Sequence, residues 1–364
     1  MITYFPAFTI RESEIKGFER LAGPTKDHMF PIVSLQAWPR AKNGLPSQVQ
    51  RSVDKLAEAS GGRPLALDLA APRADLASPA GVLGRGEMEA LHDVSDGCRN
   101  WAEFIADTAH IPVFQWVSDA SQATLQFDRL ISLGRSIVFR FRRSQNWNLP
   151  QLQLLPKAKF AGHSILVVLD SEQISRSADL TVIGNGVQQA ALSIAQHLDQ
   201  ASLSFVVIGS SFPAEFASIH PEYAEMPIRE RQLHAMLNPS PPLLQAGIDL
   251  RYGDYAGVFA DEKPTAFKGR PRVDLACPTQ WIYHRRPETE GYGSAAQLVV
   301  GSSHWDEALM CWGAQEIRRA AAGNLQGLGS GTPWTAIRIN MHLHQQAHFE
   351  SGAAGGPQEE EWQD

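Results

Sequence analysis

The sequence predicts an α/β protein in which eight parallel strands alternate with helices and close into a barrel, followed by a C-terminal extension of one strand and two helices. Three observations carry this expectation. Short apolar runs rich in Val, Ile, Leu and Phe recur eight times before residue 260. Amphipathic stretches of helical length lie between most of them. The repeated strand-then-helix unit fills a length close to the roughly 250 residues of a (β/α)8 barrel of the TIM type. A doubly wound open parallel sheet is the competing architecture.

The runs are Thr3 to Thr9, Met29 to Leu35, Pro64 to Leu69, Ile111 to Val117, Ser136 to Phe141, Ser164 to Leu169, Leu203 to Ile208 and Gly247 to Tyr252. Continuous apolar runs of this length suit strands buried on both faces, as parallel strands are. Helices are expected at Arg11 to Leu21 (Ile15, Phe18, Leu21), Pro46 to Ala59 (Val49, Val53, Leu56), Arg99 to Ala109 (Trp101, Phe104, Ile105), Ser121 to Leu133 (Leu125, Leu130, Ile131) and Gly186 to Leu198 (Val187, Ala191, Ile194). Ile228 to Leu237 carries a weaker pattern. Parallel strands joined this way need right-handed crossovers. Gly184-Asn185-Gly186 reads as a turn before a helix, because a dinucleotide fingerprint needs a third glycine and a preceding strand.

Beyond residue 260 the pattern changes. Asp261 to Pro278 is polar with Pro264, Gly269 and Pro271, and reads as a loop. Thr279 to Arg285 reads as one extra strand. Trp305 to Ala322 reads as a helix, with Asp306 and Glu307 in its first turn and Arg318 and Arg319 in its last, which suits the helix dipole. Asn324 to Pro333 is a Gly-rich turn, and Trp334 to Phe349 is a last helix. The expected organisation is therefore a barrel domain over 1–260, an extension over 261–350 packed on it, and a disordered acidic tail over 351–364.

Composition narrows the function classes. At 364 residues with 43% hydrophobic and 20% charged, the chain can bury a large core and is no disordered segment. A net charge of -7 disfavours broad nucleic-acid contact, although a local basic patch would restore it. Cys98, Cys277 and Cys311 are scattered, an odd set without a C-x-x-C pair, so reduced thiols are expected. The N-terminus lacks a charged segment followed by an apolar one, and no window approaches the ~18 apolar residues of a membrane span. A cytoplasmic protein without a membrane partner is the expectation.

Several segments also occur in a telling order: Tyr4-Phe5-Pro6-Ala7 with Arg11-Glu12-Ser13-Glu14, Ser210-Ser211-Phe212-Pro213, Tyr252-Gly253-Asp254-Tyr255, Trp281-Ile282-Tyr283, Gly331-Thr332-Pro333-Trp334 and Ile339-Asn340-Met341-His342-Leu343. This order resembles the beta family, named after a phage beta protein and scattered through bacterial and phage genomes. The resemblance runs over about residues 3 to 348. It implies a phage-related or anti-phage-defence setting and no particular reaction. Family members often carry paired histidines after the Asn, whereas Met341-His342 stands here, which undercuts a metal site built on adjacent histidines.

In a barrel, chemistry sits at the carboxyl ends of the strands. That rule selects Arg11, Asp68, Gln115, Arg140 with Arg142, Asp170, Ser210 with Ser211, and Asp254, at or just after the ends of seven different runs. On a strand, Arg140 and Arg142 face one side and Phe141 the other, and two co-facing guanidiniums suit a phosphate or carboxylate. Arg143 extends the run. Asp68, Asp170 and Asp254 are the candidate catalytic carboxylates, acting as general base or holding a divalent ion. Arg11, Gln115, Arg140, Arg142, Ser210, Tyr252, Tyr283, Asn340 and His342 are the candidate substrate-binding groups. Equally, the charges could pair with one another and merely close the barrel mouth. His344 and His348 share a helix face, but Gln345 and Gln346 stand where a zinc-protease motif has Glu, so capping or surface histidines are the better expectation. There is no P-loop and no nucleophile elbow. Two functions follow: an enzyme hydrolysing or transferring a phosphoester of a small, nucleotide-like anion, or a non-catalytic interaction module whose barrel mouth is filled by residues 261–350. An open polar mouth favours the first.

Overall fold

The computed structural model describes residues 2–38, 47–72, 79–199, 201–214, 222–260 and 270–351. Its strands are β1 (Tyr4–Thr9), β2 (Ile32–Leu35), β3 (Ala66–Leu69), β4 (Ile111–Pro112), β5 (Ile137–Arg142), β6 (Ser164–Gln173), β7 (Ser202–Ser210), β8 (Tyr223–Pro227), β9 (Leu250–Asp254), β10 (Arg272–Ala276) and β11 (Gln280–Arg285). Eight of them form one parallel sheet in the order β4-β3-β2-β1-β9-β7-β6-β5. These are the eight apolar runs. The outer strands meet through a parallel bridge between Val113 and Val138, and Phe114 N–H donates to Val138 O at 2.8 Å. The sheet is thus nearly closed and barrel-like, consistent with a (β/α)8-like fold; an open sheet has no place for that bridge.

Strand alternation explains why the runs are apolar throughout. Phe5, Ala7, Ile32, Ala66, Val113, Val138, Val168, Val206 and Ile208 form an interior cluster. Their neighbours, such as Tyr4, Phe8, Val33, Leu67, Phe139 and Leu169, join a second cluster with the helices outside. Both faces are buried, so both are hydrophobic.

Outside the barrel sheet there is more structure than expected, and one of its strands, β8, comes from the stretch assigned to the barrel domain. β10, β11 and β8 make a three-stranded antiparallel sheet with its own core, including Val273, Leu275, Trp281 and Ile282. β10 occupies a stretch expected to be loop. Its five-residue alternation, with Val273 and Leu275 inward, is too short to stand out beside the prolines and glycine before it. β8 was not anticipated either. A helix at Gly291–Val300 is built from small and β-branched residues that carry little helical signal. The next helix spans Trp312–Ala321 and begins later than expected. Asp306 instead folds a turn, accepting from Ala308 N at 2.9 Å, so it does not cap the helix. Gly184 and Gly186 lie inside the helix Leu180–His197, whose start is capped by Asp179 at Thr181 N. Of the tail expected over 351–364, Ser351 ends a short 3-10 turn and residues 352–364 lie outside the described residues.

The last helix, Gly331–Ala347, closes the ring after β9 and is buried on nearly every side. It approaches helix Glu12–Glu19 so closely that a Cβ on Gly17 would lie 2.8 Å from Ala336 O. On its other side a Cβ on Gly313 would lie 2.6 Å from Ile337 O. Asn340 bridges both neighbours, accepting from Gly313 N at 2.9 Å and donating to Gly17 O at 3.1 Å. No helix among the described residues is long and apolar enough to cross a membrane.

Candidate functional site at the barrel mouth

Arg140 is the hub of a buried polar network inside the carboxyl end of the sheet. Inward-facing positions of β5 place Arg140 and Arg142 on the interior side, while Phe139 and Phe141 face the helices. The β5–β6 register sets Arg142 opposite Asp170, and the β2–β3 register sets Ser34 opposite Asp68. Arg140 Nε donates to Asp170 Oδ2 at 2.9 Å, Nη1 to Asp68 Oδ2 at 3.1 Å and to Ser34 Oγ at 3.4 Å, and Nη2 to the Tyr255 hydroxyl at 2.9 Å. Gln115 Nε2 donates to Asp68 Oδ1 at 3.0 Å. Tyr255 donates to Asp170 at 2.7 Å. Burial alone would lower the Arg140 pKa, but Tyr255, Asp170 and Asp68 outweigh it and raise it well above the ordinary value. Burial and Asp170 likewise push the Tyr255 phenol up.

Above this network lies a cavity of about 670 Å³. Arg11, Arg142, Arg143, Glu14, Glu172 and His92 line it, and Ser34, Arg140 and Tyr255 form part of its wall. Arg142 differs from Arg140. Its side chain is 32% exposed, and its guanidinium reaches Asp68 and Asp170 only at 3.6 Å. Among the described residues it makes no side-chain hydrogen bond, so its donors are available. Arg143 donates to Gln173 O at 2.9 Å. Glu172 accepts from Ser144 N and Oγ at 2.7 Å. Its backbone sits at φ 55 within a bulge where the β6–β7 register shifts. Bulges and left-handed non-glycine residues re-aim side chains beside functional sites at a cost of about 1–3 kcal/mol.

A second network lies outside the strands, in the seam against the last helix. Asp254 accepts from Tyr4 OH at 2.5 Å, from Tyr252 OH at 2.8 Å and from Ala256 N at 2.8 Å, and pairs with His342 Nε2 at 2.8 Å. Burial pushes the Asp254 carboxyl up, but His342 and the two phenols outweigh it and hold it below the usual carboxylate range. Trp281 stacks on His342 with ring centroids 4.6 Å apart, and the Arg231 guanidinium lies 3.4 Å from the Tyr252 ring centroid. Glu230, also buried, is pushed up to about 8 by burial and then by Asp254.

Four of the segments singled out in the sequence, around Tyr4, Asp254, Trp281 and His342, therefore meet at one point. A sequence model of the Beta protein family matches residues 4–348. The chain belongs to the Beta protein family. It is also 28% identical over 356 residues to Protein beta of Enterobacteria phage P4, spanning 94% of this chain and 92% of that protein.

The beta-family chain brings only some of the selected residues together. Asp68, Asp170, Gln115, Arg140 and Arg142 share the interior network, and Arg11 joins Arg142 at the cavity. Asp254, Tyr252 and His342 belong to the seam and do not line the cavity. Ser210 Oγ donates to Val258 O at 2.6 Å and fixes a loop. Tyr283 is buried in the antiparallel sheet, and Asn340 ties helices together. His344 and His348 are buried, which corrects the surface expectation; the His348 ring lies 3.1 Å from Thr25 Oγ1. Among the described residues, no three His, Cys, Asp or Glu are grouped to hold a metal ion. Sequence reading did not select Ser34, Glu172 or His92. Ser34 was within reach of the strand-end rule, whereas Glu172 depends on a bulge.

Proposed function

We propose that this beta-family chain is a cytoplasmic, phage- or defence-associated protein whose barrel mouth takes a small phosphate-bearing, nucleotide-like anion and hydrolyses or transfers its phosphoester. The observation that carries the reading is the half-exposed Arg142 guanidinium, which faces a 670 Å³ cavity with Arg11 and Arg143 while Arg140 is fully engaged beneath it. The planar guanidinium fork matches two oxygens along one edge of a tetrahedral phosphate. Asp68 and Asp170 are occupied by Arg140, so we assign them to positioning. Glu172, which lines the cavity together with Glu14, takes the proton of the attacking water or alcohol as its oxygen bonds to phosphorus and the ester P–O bond breaks, and returns that proton to the leaving alkoxide, while Arg142 and Arg143 offset charge on the phosphoryl oxygens. A divalent ion, if the reaction uses one, arrives on the substrate's phosphates.

An open, polar mouth is what the enzyme reading expects, and one filled by side chains or by residues 261–350 is what the interaction module expects; the cavity lined by Arg11, Arg142, Arg143, Glu14 and Glu172 supports the first. Calorimetric titration with inorganic phosphate tests it. Arg142→Gln should weaken binding at least ten-fold with an unchanged melting temperature. Glu172→Gln should retain phosphate binding and lose hydrolysis of p-nitrophenyl phosphate. Absence of phosphate binding by the unaltered protein would remove the reading.

A further inference from the structure

We infer that the ligand of the barrel mouth carries two phosphoryl groups and is gripped from opposite walls, by Arg142 and Arg143 after β5 and by Arg11 after β1. This rests on the phosphate reading above and narrows it to a class of ligand. The sheet order places β5 four strands from β1 through β9, β7 and β6. Through β2, β3, β4 and the Val113–Val138 bridge the count is again four. The two strands are therefore diametrically opposed. Eight strands about 4.8 Å apart and tilted about 36° close a ring roughly 15 Å across. One cavity nevertheless touches Arg11 on one wall and Arg142 and Arg143 on the other.

Both outer arginines are held loosely. Arg11 is 35% exposed and meets Glu14 at 3.5 Å; Arg142 is 32% exposed and meets its carboxylates at 3.6 Å. Both contacts lie at or beyond the limit of a hydrogen bond, and the buried carboxylates hold other donors, Thr9 N on Glu14 and Arg140 on Asp68 and Asp170, so either guanidinium can turn to an incoming anion. A ligand with two phosphoryl groups offers one to each wall, and the second contact forms within an already bound complex. Beneath, Arg140 is pinned between Asp68 and Asp170 and adds a rigid floor.

The test compares inorganic phosphate, pyrophosphate and ADP by calorimetry at about 0.15 M salt, where exposed charges more than about 8 Å apart are screened. Pyrophosphate or ADP should bind at least ten-fold tighter than phosphate. In Arg11→Gln that ratio should fall below three, with the melting temperature unchanged. A preference shared by ADP and pyrophosphate identifies the diphosphate as the recognised unit; a preference for ADP alone puts the second contact on the nucleoside and overturns the inference. The inference is overturned if phosphate binds as tightly as both diphosphates, or if the ratio survives in Arg11→Gln. Failure of phosphate itself to bind overturns the underlying reading as well, so the two failures are distinct.

Discussion

Replacing Arg140 by Met keeps the buried stem and removes the charge that joins four strands. Asp68 and Asp170 are 5% and 0% exposed, and each loses its closest cation. Asp170 retains the Tyr255 hydroxyl and Glu172 N; Asp68 retains Gln115 and Leu69 N. Breaking a buried ion pair from one side costs about 3–5 kcal/mol. Arg142, already 3.6 Å from both carboxylates, can move in and offset part of this, so the lower end, about 3 kcal/mol, is expected. For a chain of this length that is about 4 °C in melting temperature. Urea denaturation at pH 7 gives the assay. A loss below about 1 kcal/mol would refute the claim that Arg140 holds the two buried carboxylates at the floor of the cavity.

Two further outcomes follow from the seam. Glu230, pushed up to about 8, is protonated in the fold near neutrality but ionised in the unfolded chain above about pH 4.5. Its contribution is fully present below that lower value and is lost as pH rises through 8. Glu230→Gln should therefore be the more stable protein at pH 8.5, by at most about 5 kcal/mol, and should flatten the stability profile between pH 5 and 8; parallel profiles would contradict this. Gly17→Ala forces a methyl against Ala336 O and Ile339, each within 2.9 Å. Overpacking of about 1–3 kcal/mol exceeds the gain of up to about 1 kcal/mol in helix propensity, so denaturant midpoints should fall. A rise would show that the last helix does not pack this tightly.

What could be read in the sequence depended on how each element is buried. The eight parallel strands announce themselves because both faces are covered, and the shared face of Arg140 and Arg142 follows from alternation alone. The antiparallel strands β8 and β10 are short and broken by charge. The last helix is buried on nearly every side yet carries Arg338, Asn340, His342 and Gln346, whose partners come from distant segments. The separation of Asp254 from Asp68 and Asp170 is a matter of parity. Gly253 faces the interior, where its Cβ would strike Ile208, and Tyr255 follows it inward, so Asp254 points outward to Tyr4 and His342. A rule that selects strand ends does not specify which face a residue takes, and one residue reverses it.

The most direct measurement is a crystal structure of the protein grown with phosphate. The account predicts an anion in the barrel mouth within hydrogen-bond distance of Arg142, with that guanidinium turned away from Asp68 and Asp170 and Arg140 unmoved. Phosphate found elsewhere while the mouth holds only water, or Arg142 still seated on the two aspartates beside a bound anion it does not touch, would contradict it.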